Sequence, residues 1–290
     1  MEMQMGNIQW YPGHMTKTKR RMKSCMPLVD LVVEIIDARI PASSRNPELG
    51  RLSSGKPRII LLNKADIADE AVSALWVRHF GEQGVQALVV DCKSGRGLGG
   101  FSPKINEIMG ERITAWKQKG MINRPIRMMI AGIPNSGKSS FVNRITRGGN
   151  AKVEDRPGVT RGNQWYTTKD GFEMLDTPGI LWPKFDDQKV AQHLAYTGAI
   201  RDEVLDKEEL ACGLLSILYN DYPKILADRY KTDDVILQQE IRSWELLQII
   251  GKKRGMLISG GEVDTERVAV MLLDEFRGGK IGRITLEKPC

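Results

Sequence analysis

Residues 132–139, Gly-Ile-Pro-Asn-Ser-Gly-Lys-Ser, are the part of this chain best suited to chemistry, because they fit the phosphate loop G-x-x-x-x-G-K-[ST]. Glycines let backbone N–H groups curl around a phosphate, and a helix that starts there adds its positive end. Lys138 can reach the β- and γ-phosphate oxygens of a nucleotide, and Ser139 is the expected Mg²⁺ ligand. The residues predicted to surround the phosphates are Asn135, Ser136, Gly137, Lys138, Ser139 and Ser140.

A second pattern, Asp176-Thr177-Pro178-Gly179, fits the D-x-x-G that senses a γ-phosphate. Asp176 would hold Mg²⁺ through a water molecule, and the Gly179 N–H would meet the γ-phosphate. Thr160 lies between the two patterns and is the candidate threonine that joins the Mg²⁺ shell only when a γ-phosphate is bound. An ordinary loop threonine is the alternative. We expect Lys138 and Thr160 to take part in catalysis.

A third pattern, Asn63-Lys64-Ala65-Asp66, fits the N-K-x-D that reads guanine. The Asp66 carboxylate can accept hydrogen bonds from guanine N1–H and the exocyclic amine, whereas adenine has neither donor in that place. An unpaired buried carboxylate is costly, so such a site would reject ATP. Lys64 can lay its alkyl stem against the plane of the base. These four residues form the predicted base site.

Asp91-Cys92-Lys93 loosely matches the fifth GTPase motif, in which a backbone N–H contacts guanine O6. It follows directly on a predicted strand at Ala87–Val90. Asp91 and Cys92 are therefore candidate nucleotide contacts. A generic junction between a strand and a turn explains the same residues.

The order of these patterns along the chain is unusual. In an ordinary GTPase the guanine motif follows the phosphate loop, whereas here it comes about seventy residues before it. Because a binding site is assembled in space, the same parts can form the same pocket from a rearranged chain. The order N-K-x-D, phosphate loop, D-x-x-G is that of a circularly permuted GTPase. Ile180 stands where many GTPases carry a water-positioning Gln, so we expect slow hydrolysis by the protein alone.

Short apolar runs predict the strands that would carry these patterns. They are Leu31–Ile36, Arg58–Leu62, Ala87–Val90 and Ile126–Ala131, with a hairpin pair at Gln164–Thr168 and Phe172–Leu175. Helical stretches such as Glu70–Phe80 and Pro103–Lys117 lie between the earlier strands. The alternation predicts an α/β fold, a mostly parallel sheet flanked by helices. Ligands bind at the carboxyl ends of such strands, where Asn63, Asp91 and Gly132 fall.

After Pro183 the strand-like runs give way to long amphipathic stretches. Two sets of apolar residues recur there at helical spacing: Leu237, Ile241, Trp244 and Leu247, closed by Gly251, and Val268, Met271, Leu272 and Phe276, followed by Gly278. We therefore predict a circularly permuted GTPase domain with a basic N-terminal arm over residues 1–183. Residues 184–290 are predicted to form a separate α-helical domain.

Positive charge is concentrated in the first part of the chain. The net charge is +7, and residues 1–183 hold 27 Lys and Arg against 17 Asp and Glu, while residues 184–290 hold 16 against 19. The basic residues of the arm are Lys17, Lys19, Arg20, Arg21 and Lys23. A basic arm on a nucleotide-binding domain predicts contact with a polyanion, and RNA is the first candidate. A solvated helix face is the alternative.

Composition favours a soluble globular protein, with 41% apolar and 27% charged residues among 290. No apolar run approaches the roughly 20 residues that span a bilayer, and the first ten residues do not resemble a signal peptide. The four cysteines are widely spaced, without a C-x-x-C. We therefore expect neither a disulfide framework nor a zinc site, and a reducing cytoplasm fits best.

Longer stretches of the chain carry a resemblance to a known family. They are Trp10-Tyr11-Pro12-Gly13-His14-Met15, Asp37-Ala38-Arg39-Ile40-Pro41, Ser43-Ser44-Arg45-Asn46-Pro47, Asp274-Glu275-Phe276-Arg277, Gly279-Lys280 and Gly282-Arg283-Ile284-Thr285-Leu286-Glu287. Together with the nucleotide motifs, they resemble the ribosome biogenesis GTPase A family of circularly permuted GTPases along nearly the whole chain. The resemblance implies GTP hydrolysis coupled to late maturation of the large ribosomal subunit.

Two residue roles are implied by the resemblance alone. His14 matches a histidine thought to help catalysis where the usual Gln is missing; a surface or RNA-contacting histidine is the alternative. Asn135 matches a phosphate-loop Asn that helps to bind an activating K⁺ in related GTPases. A loop-stabilising Asn is the alternative there.

We therefore expect a GTP- and GDP-binding, Mg²⁺-dependent GTPase that binds the assembling large ribosomal subunit and contacts rRNA through its basic N-terminal part. We expect it to be stimulated by ribosomal subunits, to be a monomer when free and to have no membrane partner. A nucleotide-gated rRNA-binding module, in which hydrolysis is incidental, is the alternative. An ATP-using enzyme such as a small-molecule kinase is a third possibility, against which the N-K-x-D pattern argues.

Overall fold

The computed structural model describes residues 20, 22–53, 55–146, 165–176, 187–202, 205–232 and 240–289. By its contacts the chain divides into two compact units. Among the described residues, the sheet unit comprises 20–65, 70–146, 165–176 and 287–289, with the gaps just given. The helical unit comprises 66–69, 187–202, 205–232 and 240–286.

The sheet unit is built on six strands, in the order β3-β2-β1-β4-β6-β5. The strands are β1 (Leu31–Asp37), β2 (Arg58–Asn63), β3 (Gln86–Val89), β4 (Arg127–Ala131), β5 (Trp165–Thr167) and β6 (Glu173–Asp176). All neighbouring pairs are parallel except β5 and β6, which form the antiparallel hairpin. The prediction of a mostly parallel sheet is therefore confirmed, and no strand end differs from its predicted position by more than one residue.

Helices cover both faces of this sheet. Those of the sheet unit are α1 (Pro47–Leu52), α2 (Glu70–Glu82), α3 (Phe101–Gln118) and α4 (Lys138–Thr146), with 3₁₀ turns at Met26–Leu28 and Leu98–Gly100. Alternate residues of β1 enter two separate apolar cores, because successive side chains of a strand point to opposite faces. Val33 packs with Phe101 and Phe141 on one face, and Val32 packs with Met129 on the other. A strand buried on both faces explains the unbroken apolar run in the sequence.

The helical unit contains five described helices. They are α5 (Gln188–Tyr196), α6 (Lys207–Asp221), α7 (Pro223–Tyr230), α8 (Ser243–Lys253) and α9 (Thr265–Arg277). Three of them begin at an aspartate whose side chain accepts a hydrogen bond from the first turn, namely Asp187, Asp206 and Asp264. Among the described residues, none of the helices combines the length and apolar character needed to cross a bilayer.

Leu237, the first residue of the predicted apolar stripe, lies outside the described residues, and the rest of the stripe does not match α8. Ile241 precedes the helix, and Trp244 is 36% exposed rather than buried, while Leu246 and Ile250 form the buried stripe with Leu247. Gly251 lies inside the helix instead of closing it, since α8 continues to Lys253. The glycine is needed for packing, because a Cβ at Gly251 would lie 2.3 Å from Val263 Cγ1 and 2.8 Å from Val268 Cγ2.

Replacement of Gly251 by Ala tests that close approach. Alanine is the better helix former, but here its methyl group would displace Val263 and Val268, so we expect a loss of about 1–3 kcal/mol in the free energy of unfolding. The matched control is Gly110→Ala in α3, where nothing lies within 4 Å of the added Cβ. The control should gain about 0.5–1 kcal/mol in urea denaturation. Equal gains in both variants would contradict the packing role of Gly251.

Candidate nucleotide-binding site

The sheet brings the sequence motifs to one edge, because the parallel strands all end there. Asp37 at the end of β1 pairs in register with Asn63 at the end of β2. The phosphate loop starts at Gly132, directly after β4. On the other side of β4, Asp176 at the end of β6 pairs with Ile130.

The phosphate loop is closed by hydrogen bonds to a single carbonyl. Ser136 is fully buried and its hydroxyl donates to the Ile133 carbonyl at 2.9 Å, while Lys138 Nζ donates to the same oxygen at 3.2 Å. Asn135 and Gly137 have positive φ angles of 59° and 97°. Turns of this kind present successive backbone N–H groups on one concave side, which suits an anion.

A single side chain, Asn63, joins three of the predicted motifs. Its Nδ2 donates to the Ser136 carbonyl in the phosphate loop at 2.7 Å, and its Oδ1 accepts from the Cys92 N–H at 2.9 Å. The two partners fix the orientation of the amide, because only nitrogen can serve the carbonyl and only oxygen the N–H. Asn63 is 3% exposed. The guanine motif and the phosphate loop are therefore in direct contact, although the bonded residues lie 73 positions apart.

Two glycines of the phosphate loop permit this contact. A Cβ at Gly137 would lie 2.1 Å from Asn63 Nδ2, and one at Gly132 would lie 2.4 Å from the Ile35 carbonyl oxygen. Both distances are far inside van der Waals contact. The glycines are thus required by packing within the protein as well as by the approach of a phosphate.

Lys64 is held by a buried ion pair that sequence reasoning missed. Its Nζ lies 2.9 Å from Asp37 Oδ2, and its backbone has a positive φ of 65°. Asp37 also binds Arg39 twice, with Nε donating to Oδ1 at 3.0 Å and Nη2 to Oδ2 at 2.8 Å. Asp37 and Arg39 are 2% and 1% exposed.

The charge on Asp37 is stabilised by these two cations. Burial alone would raise the pKa of Asp37, but the Arg39 guanidinium and the Lys64 ammonium hold the pKa of that carboxyl well below its usual range. The ionised carboxylate of Asp37 therefore holds the ammonium group of Lys64 in one position. The alkyl stem of Lys64, with about a quarter of the side chain exposed, is the part that remains for contact with a base.

The turn after β3, residues 91–93, holds the side chain of Asn63 through the Cys92 N–H. The N–H groups of Lys93 and Ser94 donate to Asp91 Oδ1, and despite burial the bonds from Ser94 and Lys93 keep the pKa of Asp91 below its ordinary value. Burial raises the pKa of the Cys92 thiol to about 12, so this cysteine is protonated and inert. The Cys92 N–H could donate to a base only if its hydrogen bond to Asn63 Oδ1 were broken. The nucleotide contacts of Asp91 and Cys92 therefore stay predictions.

The end of the guanine motif leaves the sheet unit. Ala65 is buried, and its N–H donates to the Val90 carbonyl at 3.2 Å. Asp66 is exposed and, with residues 67–69, belongs by its contacts to the helical unit. The chain returns to the sheet unit at Glu70, where α2 begins.

Ser139 offers an oxygen ligand suited to Mg²⁺. With Ser140 it is exposed in the first turn of α4, and hard cations such as Mg²⁺ take oxygen ligands. Within the part of the chain that the structure describes, no group of three His, Cys, Asp or Glu side chains could hold a metal ion. Of the other predicted site residues, His14, Thr160 and Gly179 lie outside the described residues, and Asp176 is placed only by its position in β6.

Comparison with known proteins identifies the family of this chain. Residues 127–244 match a family model described as a 50S ribosome-binding GTPase. The ribosome biogenesis GTPase A of Bacillus licheniformis is 43% identical over 282 residues, which cover 97% of this chain and 98% of that relative. The chain belongs to the ribosome biogenesis GTPase A family.

Two solved structures are similar to this family member along most of the chain. GDP-bound YlqF has a TM-score of 0.63 at 28% identity, and the match covers 93% of this chain and 99% of that one. GNP-bound YlqF from Thermotoga maritima has a TM-score of 0.62 at 29% identity, covering 94% and 98%. The expectation of a GTP-binding GTPase of ribosome biogenesis is confirmed.

The motifs typical of ribosome biogenesis GTPase A contain the ion pair that was missed. Asp37 and Arg39 entered the sequence argument only as part of the resemblance, without a role. A usable signal was present, since Asp37 ends β1 as Asn63 ends β2, and adjacent parallel strands place such residues side by side. What the spacing does not reveal is that Asp37 faces Lys64 rather than a ligand.

Gly137→Ala tests the tie between the two motifs. The added methyl would meet Asn63 Nδ2 at 2.1 Å and would strain a backbone at φ 97°, so we expect the affinity for GTP to fall roughly tenfold or more. The measurement is equilibrium titration with a fluorescent GTP analogue. Gly171→Ala is the matched control, because its φ is 79° but nothing lies within 4 Å of its Cβ. The control should lose stability and keep its affinity; equal affinity losses would contradict the tie.

Asp37→Asn tests the buried ion pair. The change leaves the Arg39 charge buried without its carboxylate, which typically costs about 3–5 kcal/mol in the free energy of unfolding. Because the folded pKa is depressed, the stabilisation is present above the unfolded pKa of about 3.9 and is lost as the pH falls below it. Urea denaturation should therefore show a constant difference between variant and parent from pH 7 to about pH 4, and a difference that begins to narrow as the pH falls from 4 toward 3.

Asp30→Asn is the control for the ion pair. Asp30 precedes β1 at its opposite end and accepts hydrogen bonds from Arg124 Nη2 at 2.7 Å and the Arg127 N–H at 3.0 Å. The Asp30→Asn variant should lower the free energy of unfolding and leave GDP affinity unchanged. The Asp37→Asn variant should lower both the free energy of unfolding and the affinity for GDP. GDP affinity unchanged in a folded Asp37→Asn variant would show that the ion pair does not position Lys64 for the base.

Proposed function

We propose that this protein is a GTP-hydrolysing factor that binds the assembling large ribosomal subunit and supports its late maturation. The observation that carries the nucleotide part is the double hydrogen bond of Asn63, which joins the guanine motif, the phosphate loop and the Asp91–Lys93 turn. A nucleotide whose base meets Lys64 and Asp66 would have its phosphates within reach of the phosphate loop. The proposed domain division is 1–183 for the GTPase domain and 184–290 for the helical domain.

Phosphate and metal binding are assigned to the phosphate loop and the two switch residues. Gly137, Lys138 and Ser139, with their neighbours Asn135, Ser136 and Ser140, would hold the β- and γ-phosphates. Ser139, Thr160 and Asp176 would hold Mg²⁺, which neutralises the charge that develops on the phosphates. Thr160 and the Gly179 N–H would sense the γ-phosphate, because both lie in segments that such switches release after hydrolysis.

Catalysis by the isolated chain should be slow. Ile180 follows the D-x-x-G pattern and cannot orient a water molecule, so another group must do so. We assign this to His14, whose imidazole can both accept and donate a hydrogen bond. K⁺ held near Asn135 would add positive charge at the transition state. Asn135 is exposed in the phosphate loop with a positive φ, a position open to such an ion.

Binding to the large subunit is supported by family membership and by charge. The matching family model is described as a 50S ribosome-binding GTPase. In the basic arm, Arg20 and Lys23 are exposed while Met22 and Cys25 are buried. Exposed cations next to a buried anchor present charge to a polyanion, so we assign the rRNA contact to this N-terminal part. Cytoplasmic location is supported by the buried cysteines Cys25, Cys92 and Cys212, which form no disulfide within the part of the chain that the structure describes. A monomeric free state completes the proposal.

The alternative is a nucleotide-gated rRNA-binding module in which hydrolysis is incidental. The observation in its favour is Ile180, since a chain without its own water-positioning residue can act as a binding switch alone. The two functions differ in turnover: a GTPase is accelerated by its ribosomal partner, whereas a gated module is only retained on it.

Asp66→Asn tests the base assignment. The amide replaces one hydrogen-bond acceptor by a donor, so affinity for GTP should fall by roughly ten- to a hundredfold, while xanthosine triphosphate, which has a carbonyl in place of the exocyclic amine, should gain. Competition titrations with both nucleotides measure the change. Lys138→Ala is the contrasting variant, because it should lower the affinity for every nucleoside triphosphate by a similar factor. Unchanged base preference in Asp66→Asn would count against the pocket.

Turnover assays with ribosomal particles test the enzymatic role. Mature and immature large subunits should each be added to the protein with GTP, in potassium and in sodium buffers. We expect immature particles in potassium to raise turnover by roughly a hundredfold, the scale of supplying one missing catalytic group. His14→Ala should lose this stimulation and keep its GTP affinity. Particle binding without any stimulation would favour the gated module.

A further inference from the structure

The four residues after Ala65 are held by the C-terminal part of the chain. The loop 66–69 contains Asp66 and belongs to the helical unit, as do residues 279–286. The main chain of the loop is hydrogen-bonded to residues 279–286 at three consecutive positions, 67, 68 and 69. The bonds are Ile284 N–H to the Ile67 carbonyl at 3.1 Å, Arg283 Nε to the Ala68 carbonyl at 2.9 Å, and Asp69 N–H to Thr285 Oγ1 at 3.1 Å.

Packing reinforces these bonds. Gly279 lies against Ile67, where a Cβ would come within 2.1 Å of Ile67 Cγ2. Ala68 is fully buried, whereas Asp66 is exposed. The loop therefore has a fixed backbone and one free-facing carboxylate, which is the arrangement needed to read hydrogen-bond donors on a base.

The C-terminal segment is itself firmly placed. Tyr222, the residue before α7, both donates its hydroxyl hydrogen to the Thr285 carbonyl at 2.8 Å and accepts from the Thr285 N–H at 3.2 Å. Ile284 and Thr285 are 1% and 2% exposed. A segment anchored in this way can impose its geometry on the loop rather than follow it.

We infer that residues 279–286, with Arg283 and Thr285 as positioning residues, hold Asp66 in the orientation that selects guanine. The inference rests on the proposed role of Asp66. Its basis is that residues 67, 68 and 69 are each bonded to this segment, although the two are more than 200 positions apart in the sequence. In this protein the specificity of the nucleotide site is therefore set by residues near the C-terminus.

The residue that follows the segment, Glu287, belongs to the sheet unit and is held within that unit. Glu287 accepts hydrogen bonds from the N–H groups of Ala42 and Ser43 at 2.6 and 3.1 Å, and its carbonyl accepts from Trp76 Nε1 at 2.9 Å. Trp76 lies in α2, the helix that follows the loop. Removal of one contact with the loop should therefore loosen Asp66 without releasing the whole segment.

The test compares GDP with inosine diphosphate, which lacks the exocyclic amine that Asp66 would accept. In Arg283→Ala and Thr285→Val, each of which removes one bond to the loop, GDP affinity should fall roughly tenfold and inosine diphosphate affinity much less. Arg283→Lys, which keeps a donor for the Ala68 carbonyl, should restore part of the difference. Isothermal titration calorimetry on the full chain measures the affinity of the parent and of each variant for both nucleotides.

Two controls separate positioning from general damage. Arg229→Ala breaks the Arg229–Glu275 ion pair in the same unit without touching the loop, so it should lower stability and leave the ratio of the two affinities unchanged. In an Asp66→Ala background, Arg283→Ala should have no further effect on that ratio, because residues acting through one group are not additive.

Each outcome has a distinct meaning. The inference is supported if the ratio of GDP affinity to inosine diphosphate affinity falls in Arg283→Ala, and if Arg283→Ala no longer changes this ratio in a protein that already carries Asp66→Ala. A ratio unchanged in Arg283→Ala and Thr285→Val, with Asp66→Ala effective, would overturn the inference alone. An ineffective Asp66→Ala would overturn the base assignment and the inference with it. Circular dichroism must show each variant folded at the temperature of titration.

Discussion

The side-chain amide of Asn63 is buried between the ends of three strands, and each end of it serves a different loop. One hydrogen bond goes to the phosphate loop and one comes from the turn after β3. Because Asn63 is almost fully buried, loss of either partner would leave a polar group unpaired, at a cost of about 1–3 kcal/mol. This tie brings the predicted guanine motif and the phosphate loop into direct contact, although they come from distant parts of the sequence in an order opposite to the usual one.

The neighbouring interactions fix the geometry of the residues around Asn63. Asp37, held ionised by Arg39, fixes the ammonium of Lys64, and Gly137 has no side chain where Asn63 needs space. These contacts all lie at the carboxyl edge of the sheet, where an α/β fold places its ligands. The GTPase activity shared by the ribosome biogenesis GTPase A family thus has a structural basis that does not depend on chain order.

Much of this arrangement could be predicted from the sequence, and the limits have physical reasons. The strands and the placement of Asn63 and Gly132 followed from apolar runs and from the rule that ligands bind where parallel strands end. The ion pair of Asp37 and the bonds from Arg283 to the loop after Ala65 did not, because side-chain partners between distant segments leave no periodic signal. The limits of α8 were misjudged for a similar reason, since Gly251 ends no helix but makes room for Val263.

The most direct test of the account is a crystal structure of the full chain with GDP or a non-hydrolysable GTP analogue and Mg²⁺. The account predicts one nucleotide, with its phosphates along residues 132–139, its base against Lys64 and the Asp66 carboxylate on the guanine donors. Asn63 should keep both of its hydrogen bonds. A nucleotide bound by the phosphate loop alone, with its base directed away from residues 63–66, would contradict it.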